Sequence, residues 1–277
     1  MIRKKLFILL LLVIMSTVAI LFMKQSTETM TIGKYEAMPN IDVTLNELNI
    51  AIAGSPDDKI HVQLKGPKLN KEMVKITEEN NKFFIKEPLR KKKWKDYIHF
   101  RPTPTIVVQL PKTQSKTLTL NNADGDFTIR NLRLDKVQAE MSTGSSNLKN
   151  IAISNAEFHM KDGNVTIAKS AIENLLITTS SGDVAIKEST GSTQSIQTVD
   201  GQIKMTDATE QPSLHVKSVS GDIGIHYKKT PTSLQLKNSG AGDIKIKLPK
   251  YDKKTHIIGD GTNILSTETK DGSIVIK

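Results

Sequence analysis

Glycines recur at a fixed interval through the second half of this 277-residue chain. The first five are nineteen residues apart, and three more follow at intervals of twenty, twenty-one and thirty: Gly125, Gly144, Gly163, Gly182, Gly201, Gly221, Gly242 and Gly272. Self-similarity at a fixed period indicates a repeat architecture, in which successive units stack and bury a shared core. The period therefore limits the fold more strongly than any single residue does.

Apolar and polar residues alternate on both sides of each glycine. Apolar side chains stand two and four residues after it, as in Val165 and Ile167 or Val184 and Ile186, with mostly polar residues between them. Such alternation, with many β-branched side chains, is typical of half-buried strands. Each repeat is therefore predicted to be a strand, a turn at the glycine, a second strand and a short connection.

The length of the repeat selects among the β architectures. Nineteen residues are about enough for one coil of a solenoid, in which each strand pairs with the equivalent strand one coil away. Glycine suits the corner of such a coil because it tolerates positive φ and lets stacked backbones approach closely. The sequence predicts a right-handed parallel β-solenoid over residues 116–277 with coils of about nineteen residues, and an antiparallel β-meander is the competing interpretation.

The residues before the repeats divide into four predicted segments. Residues 6–23 are apolar except for Ser16 and Thr17, and this length can cross the hydrocarbon core as a helix. The basic residues before this run predict an uncleaved signal anchor in the plasma membrane, with residues 1–5 cytoplasmic and the bulk of the chain outside the cytoplasm. Residues 24–40 are predicted to be a polar stalk, and residues 41–115 a β region without the regular period.

No pattern typical of an enzyme or of a thiolate metal site is found. The chain has no cysteine, which excludes disulfides and an acylated anchor, and its six histidines share no spacing. We therefore expect no catalytic residues and no cofactor. The residues that follow the repeat glycines, such as Asp126, Asn164 and Asp183, could form a calcium ladder, but Asp and Asn also favour turns for purely structural reasons. We favour the structural interpretation and predict no metal site.

Basic residues form the candidate binding site. With 39 Lys and Arg against 29 Asp and Glu, the chain is basic, and many of its cations fall at outward positions of the repeat or in one short run. The candidate polyanion-binding residues are Arg90, Lys91, Lys92, Lys93, Lys95, Arg130, Lys149, Lys187, Lys204, Lys245 and Lys247. Stacked coils would align the repeat cations in a ladder that a polyanion could neutralise. Exposed lysines also keep a sheet soluble and discourage edge pairing, and this simpler interpretation stays open.

Several stretches carry a resemblance to a known family. Residues 50–66, with a strand, an acidic turn and a second strand, are similar to the opening of the DUF4097 family of adhesin-like proteins. Residues 106–112 and the repeated Ser-Gly-Asp units at residues 181–186 and 220–225 are similar to the body of that family. With its N-terminal anchor, the chain resembles the membrane-anchored member of a cell-envelope stress operon of Gram-positive bacteria. The resemblance implies an exported β-solenoid and supplies no catalytic residues.

Two functions are consistent with this resemblance and with the basic column. The first is a non-catalytic envelope protein that binds teichoic acid, an anionic lipid headgroup or an adhesion partner through an extended β surface. The second is a regulatory or scaffolding subunit that docks a membrane protein of the envelope stress response. Basic patches often bind nucleic acid, but we expect none here, because the bulk of the chain is predicted to be exported.

Overall fold

The fold is all-β, with strands stacked into a parallel solenoid. A computed structural model describes residues 27–89, 102–112 and 114–277. Its first eight strands are β1 (Glu28–Tyr35), β2 (Asn40–Leu45), β3 (Asn49–Gly54), β4 (Ile60–Gly66), β5 (Lys75–Glu79), β6 (Lys82–Lys86), β7 (Thr105–Leu110) and β8 (Thr117–Asp124). One short 3-10 helix, Lys71–Met73, precedes β5.

The remaining strands follow the glycine period. They are β9 (Phe127–Thr143), β10 (Ser146–Asp162), β11 (Val165–Ala168), β12 (Ala171–Thr179), β13 (Val184–Lys187), β14 (Thr193–Thr198), β15 (Ile203–Ala208), β16 (Ser213–Ser218), β17 (Ile223–Tyr227), β18 (Leu234–Ser239), β19 (Asp243–Ile246), β20 (Ile257–Ile258), β21 (Asn263–Thr269) and β22 (Ser273–Ile276). β9 and β10 are long because each continues without a break from the strand after its glycine into the strand that precedes the next glycine.

Each coil contributes one strand before its glycine and one after it, and we name the resulting ladders the upstream ladder and the downstream ladder. In the upstream ladder, β12, β14 and β16 pair in parallel, and in the downstream ladder β11, β13, β15 and β17 do so. The register repeats the sequence period, since Val165 pairs with Val184 and Val184 with Ile203. The parallel solenoid is confirmed, and the antiparallel meander is excluded for these strands.

The core lies between the two ladders and runs the length of the stack. The inward positions hold the predicted apolar residues, and Phe127, Ile167, Val184 and Ile203 are fully buried. The inward side chains of one coil pack on those of the next coil, so the apolar residues of each coil are buried only when neighbouring coils are in place.

Two kinds of corner turn the chain. At the repeat glycine, stacked backbones approach so closely that a Cβ on Gly163 would lie 1.9 Å from the carbonyl oxygen of Gly144. Of the eight predicted glycines, only Gly144 has a positive φ, so close approach is the main reason for the column. Six residues after the glycine, a left-handed residue turns the chain again, with φ between 48° and 54° at Asn131, Asn150, Lys169, Glu188 and Asp207.

The stack extends before residue 116 and begins with coils that are out of sequence order. β2 and β3 pair with β8 and β9, and on their other side with β6 and β7. Antiparallel strands cover this end, because β4 pairs with β7, β1 with β4 and β5 with β6. The segment predicted to be a stalk, residues 24–40, differs from that expectation because it contains β1.

The carboxyl end has a corresponding exchange. β21 and β22 lie between the coil of β16 and β17 and the coil of β18 and β19. The end coil is thus β18 and β19, although β21 and β22 follow it in the sequence. The order of coils in the stack therefore differs here from their order in the sequence, and residues 247–262 are the excursion that allows the exchange.

No helix of the described residues has the length and apolarity needed to span a bilayer. The predicted anchor, residues 6–23, lies outside the described residues.

Candidate functional site

The downstream ladder brings three of the predicted basic residues into one outward column. Arg130 on β9 pairs directly with Lys149 on β10. Lys149 pairs with Ala168 on β11, and Ala168 with Lys187 on β13. All three cations are exposed. Because parallel strands lie about 4.8 Å apart, Lys149 and Lys187 are separated by about 10 Å, with the small Ala168 between them.

The other three predicted residues lie on the same face towards its carboxyl end. Lys204 occupies the neighbouring outward column, where it pairs with Ala185 and Gly224. Lys245 lies in that column on β19, and Lys247 follows in the column of Arg130. The exchanged coils place Lys277 beside Lys247, since the Lys247 N–H donates to the carbonyl oxygen of Ile276. We call the outward residues of the downstream ladder the basic face.

The basic face carries an excess of positive charge. The columns of Lys204 and of Arg130 contain no aspartate or glutamate at any paired position of the ladder, and the acidic side chain among the paired outward residues is Asp243, which pairs with Ser273. Among the six predicted cations of this face, the ion pairs of the described residues involve only Lys187, whose Nζ lies 3.6 Å from a carboxylate oxygen of Glu188. Its charges therefore remain available to an external anion.

The upstream ladder has a different electrostatic character. Its outward side carries both signs of charge and pairs them internally, as Lys217 Nζ lies 2.7 Å from Glu268 and His159 Nε2 lies 2.6 Å from Glu157. The hydrogen bond from Lys217 lowers the pKa of Glu268, and that from His159 lowers the pKa of Glu157. These acidic partners neutralise part of the positive charge on the outward side of the upstream ladder.

The residues that follow the repeat glycines have a structural role. The carboxylate of Asp126 accepts the backbone N–H of Ser145 one coil on at 2.9 Å, and Asp183 accepts that of Gln202 at 2.8 Å. Ser273 donates its backbone N–H and its hydroxyl to Asp222, and these bonds lower the pKa of that carboxyl. Within the described part of the chain, no group of three or more His, Cys, Asp or Glu residues could hold a metal ion.

The predicted cations Arg90, Lys91, Lys92, Lys93 and Lys95 lie outside the described residues. They connect β6 to β7, and these two strands form the end coil of the stack at its amino end. The preceding Leu89 is 88% exposed.

The sequence analysis missed a groove along the left-handed corner. It has a volume of about 870 Å³ and is lined by Asn131, Asn150, Lys169 and Ala171, with Lys112, Arg133 and Lys228 among the residues around it. Asn150 Nδ2 donates to the side-chain oxygen of Asn131 at 2.7 Å, which stabilises the corner from coil to coil. The two asparagines were the available signal, because Asn adopts positive φ more readily than other non-glycine residues.

Comparison with known proteins identifies the fold. Residues 38–277 match the family model described as Toastrack DUF4097. A "putative lipid binding protein" from Parabacteroides distasonis is 16% identical with a TM-score of 0.55, over 92% of this chain and 98% of that one. A "putative adhesin" from the same organism is 11% identical with a TM-score of 0.58, over 91% of this chain and 98% of that one.

A second "putative adhesin", from Parabacteroides merdae, is 13% identical with a TM-score of 0.55, over 91% of this chain and 96% of that one. At these identities the likeness shows the fold alone. Comparison with curated protein sequences gives no match.

Proposed function

Since the chain belongs to the Toastrack DUF4097 family, whose fold presents a long β surface, we propose that it is a non-catalytic envelope protein that binds an anionic polymer through the basic face. The excess positive charge of the basic face carries this proposal. In the proposed setting, residues 6–23 anchor the chain in the plasma membrane and the solenoid lies outside the cytoplasm. The polymer is then a teichoic acid, or a surface of anionic lipid headgroups takes its place.

The proposed affinity comes from many weak contacts. One exposed ion pair contributes only about 0–1 kcal/mol, so no single lysine would hold a ligand. A linear polyanion can contact several cations of the ladder at once, and each contact after the first is intramolecular. Such binding weakens as salt increases, because exposed charges are screened beyond about 8 Å at physiological ionic strength.

The named structural neighbours support a binding role only in general terms. One carries the name of a lipid-binding protein and two carry the name of adhesins. Neither name implies a reaction, and the outward columns of the basic face contain no paired acid and base. We therefore propose binding without catalysis.

The proposal is tested by retention on purified Gram-positive cell walls, native or stripped of teichoic acid, across a salt series. The test variant replaces Arg130, Lys149 and Lys187 with glutamine. The matched control replaces Lys136, Lys161 and Lys237, three exposed lysines outside the basic face, so that the net charge changes equally. We expect the test variant to lose most of its retention on native walls while the control keeps it.

Equal loss in the two variants would indicate general charge attraction and would remove the basic face as a site. Binding to anionic vesicles but not to walls would favour lipid headgroups as the ligand. Retention that neither salt nor stripping changes would reject polyanion binding. It would favour the second function, a scaffolding subunit that docks a membrane protein of the envelope stress response.

A further inference from the structure

The two ladders end differently at the carboxyl end of the stack. The upstream ladder is closed by polar groups and by a covering strand. Asn238 on β18 stands in the column of Val216 and Thr267 and accepts the Thr267 hydroxyl at 3.1 Å. The antiparallel strand β20 covers the start of β18. The upstream core therefore ends at the polar side chain of Asn238, which is exposed to solvent.

The downstream ladder ends without such protection. On β19, Ile244 continues the core column of Ile223 and Ile274, which are each 1% exposed, yet Ile244 is 38% exposed. Among the described residues, only β22 pairs with β19, so the outer edge of this strand is open. An apolar core column thus reaches the surface at an unpaired edge, the kind of edge that natural sheets usually cover.

The backbone of β19 is oriented for further pairing. The Lys247 N–H points towards β22, where it donates to the carbonyl oxygen of Ile276 at 2.7 Å. In a parallel ladder, alternate residues direct both backbone groups to the same side. The N–H and C=O groups of Ile244 and Ile246 therefore point away from β22, towards the open edge.

We propose that β19 pairs with β19 of a second copy of this chain, in an antiparallel register centred on Ile244. This register places Ile244 opposite itself, in a pair that exchanges two backbone hydrogen bonds. It places Asp243 opposite Lys245 of the second copy, and Lys245 opposite Asp243, in the close pairs on either side. Opposite charges in directly facing positions stabilise an antiparallel pair.

The charges of β19 favour this register over the registers shifted by one residue. A shift that centres the pair on Lys245 would place the two Lys245 side chains opposite each other, which is unfavourable. Lysines on an edge strand commonly prevent pairing, but here Asp243, two residues away on the same face, complements Lys245 under two-fold symmetry. The dimer would join two basic faces into one continuous surface. It does not depend on the proposed ligand, because no polymer takes part in the contact.

The test measures the mass of the full-length chain by analytical ultracentrifugation in a density-matched non-ionic detergent. We expect a dimer for the natural sequence. Lys245→Asp places aspartates opposite each other twice, and we expect the dissociation constant to rise roughly tenfold or more. Adding Asp243→Lys to this variant restores the opposite charges, so the double variant should dimerise again. A dimer held only by the N-terminal apolar segment would not respond to these changes.

A cysteine cross-link tests the register, since the chain has no cysteine of its own. In the proposed pair the Ile244 Cα atoms are about 5.5 Å apart, within the range that a disulfide spans. Ile244→Cys should therefore give a covalent dimer on oxidation. Ile246→Cys is the matched control, because the two-fold axis separates its copies by about 14 Å, the length of four strand residues.

A monomer at about 100 μM, a concentration far above that of a specific micromolar dimer, would overturn the proposal. A dimer that Lys245→Asp leaves unchanged would do the same, as would equal cross-linking at positions 244 and 246. Retention on cell walls is measured separately, so failure of the dimer and failure of polymer binding are distinguishable.

Discussion

Replacement of Gly182 by alanine is the most direct test of why the glycine column exists. A Cβ on Gly182 would lie 1.9 Å from the carbonyl oxygen of Gly163 one coil away. Real Cβ atoms essentially never approach within 3.0 Å, so the backbones would have to separate by at least ~1.1 Å. The Cβ position is fixed by the backbone of residue 182 and the oxygen belongs to the backbone of Gly163, so no flexible side chain can absorb this movement.

The expected cost follows from the contacts at this corner. Overpacking a close-packed interior typically costs about 1–3 kcal/mol. The displacement would also disturb the bond from the Thr198 hydroxyl to the Gly182 carbonyl oxygen, which is 3.3 Å long, and a net hydrogen bond contributes about 1 kcal/mol. We therefore expect Gly182→Ala to lower the free energy of unfolding by about 2–4 kcal/mol, a large share of the roughly 5–15 kcal/mol typical of domains.

Urea unfolding of residues 27–277, which contain every described strand, measures this loss. Gly224→Ala is the control, because Gly224 lies in the downstream strand β17, where an added Cβ would meet nothing within 4 Å. This control should be neutral or should raise stability by up to about 1 kcal/mol, because alanine reduces the entropy of the unfolded chain. If Gly182→Ala were within about 0.5 kcal/mol of the natural sequence, close approach would not explain the column.

Three further changes test other contacts by urea unfolding. Glu87→Ala removes a carboxylate that accepts the backbone N–H groups of residues 46–48 at 2.8–3.1 Å. We expect this variant to lower the free energy of unfolding by about 1–3 kcal/mol. An unchanged free energy would show that water replaces the carboxylate. Burial alone would raise the pKa of Glu210, but hydrogen bonds from Thr232, Asn263 and Ser233 lower it below the ordinary 4.5. The stability that ionised Glu210 contributes is therefore present above pH 4.5 and is lost as pH falls through the lowered pKa. Glu210→Gln should flatten the acid part of the curve of unfolding free energy against pH. An unchanged slope of that curve would reject this linkage. At the left-handed corner, Glu188→Val should lower the free energy of unfolding by about 1–2 kcal/mol, because a β-branched residue tolerates positive φ poorly. Glu188→Asn should leave it nearly unchanged, and equal effects of the two variants would contradict this conformational cause.

The sequence predicts the repeated part of the fold well because its strongest constraint is local. Each coil needs a residue without a Cβ at the close-approach corner and apolar residues two and four positions later. Gly163, Val165 and Ile167 meet this requirement within five residues. The same register aligns Arg130 with Lys149, so part of the basic face could also be predicted.

The exchanged end coils could not be predicted in this way. Every coil offers similar strand edges and a similar apolar column. The local pattern around Gly242 or Gly272 therefore does not specify which coil will stack beside the coil that contains it. The left-handed corner also had weak signals. Asn131 and Asn150 are typical of positive φ, but Lys169 and Glu188 adopt it because the stack requires the turn at that position.

The coil exchange at the carboxyl end affects how the newly made chain completes its fold. β18 and β19 are synthesised before β21 and β22, yet their final place is one coil further out. If they docked early on β16 and β17, the amide of Asn238 would lie against Val216 in a core column, which is unfavourable without a hydrogen-bond partner. The arrival of Thr267 supplies that partner. Correct closure therefore waits for the last strands, and a chain truncated before residue 263 would remain incompletely folded and open to proteolysis.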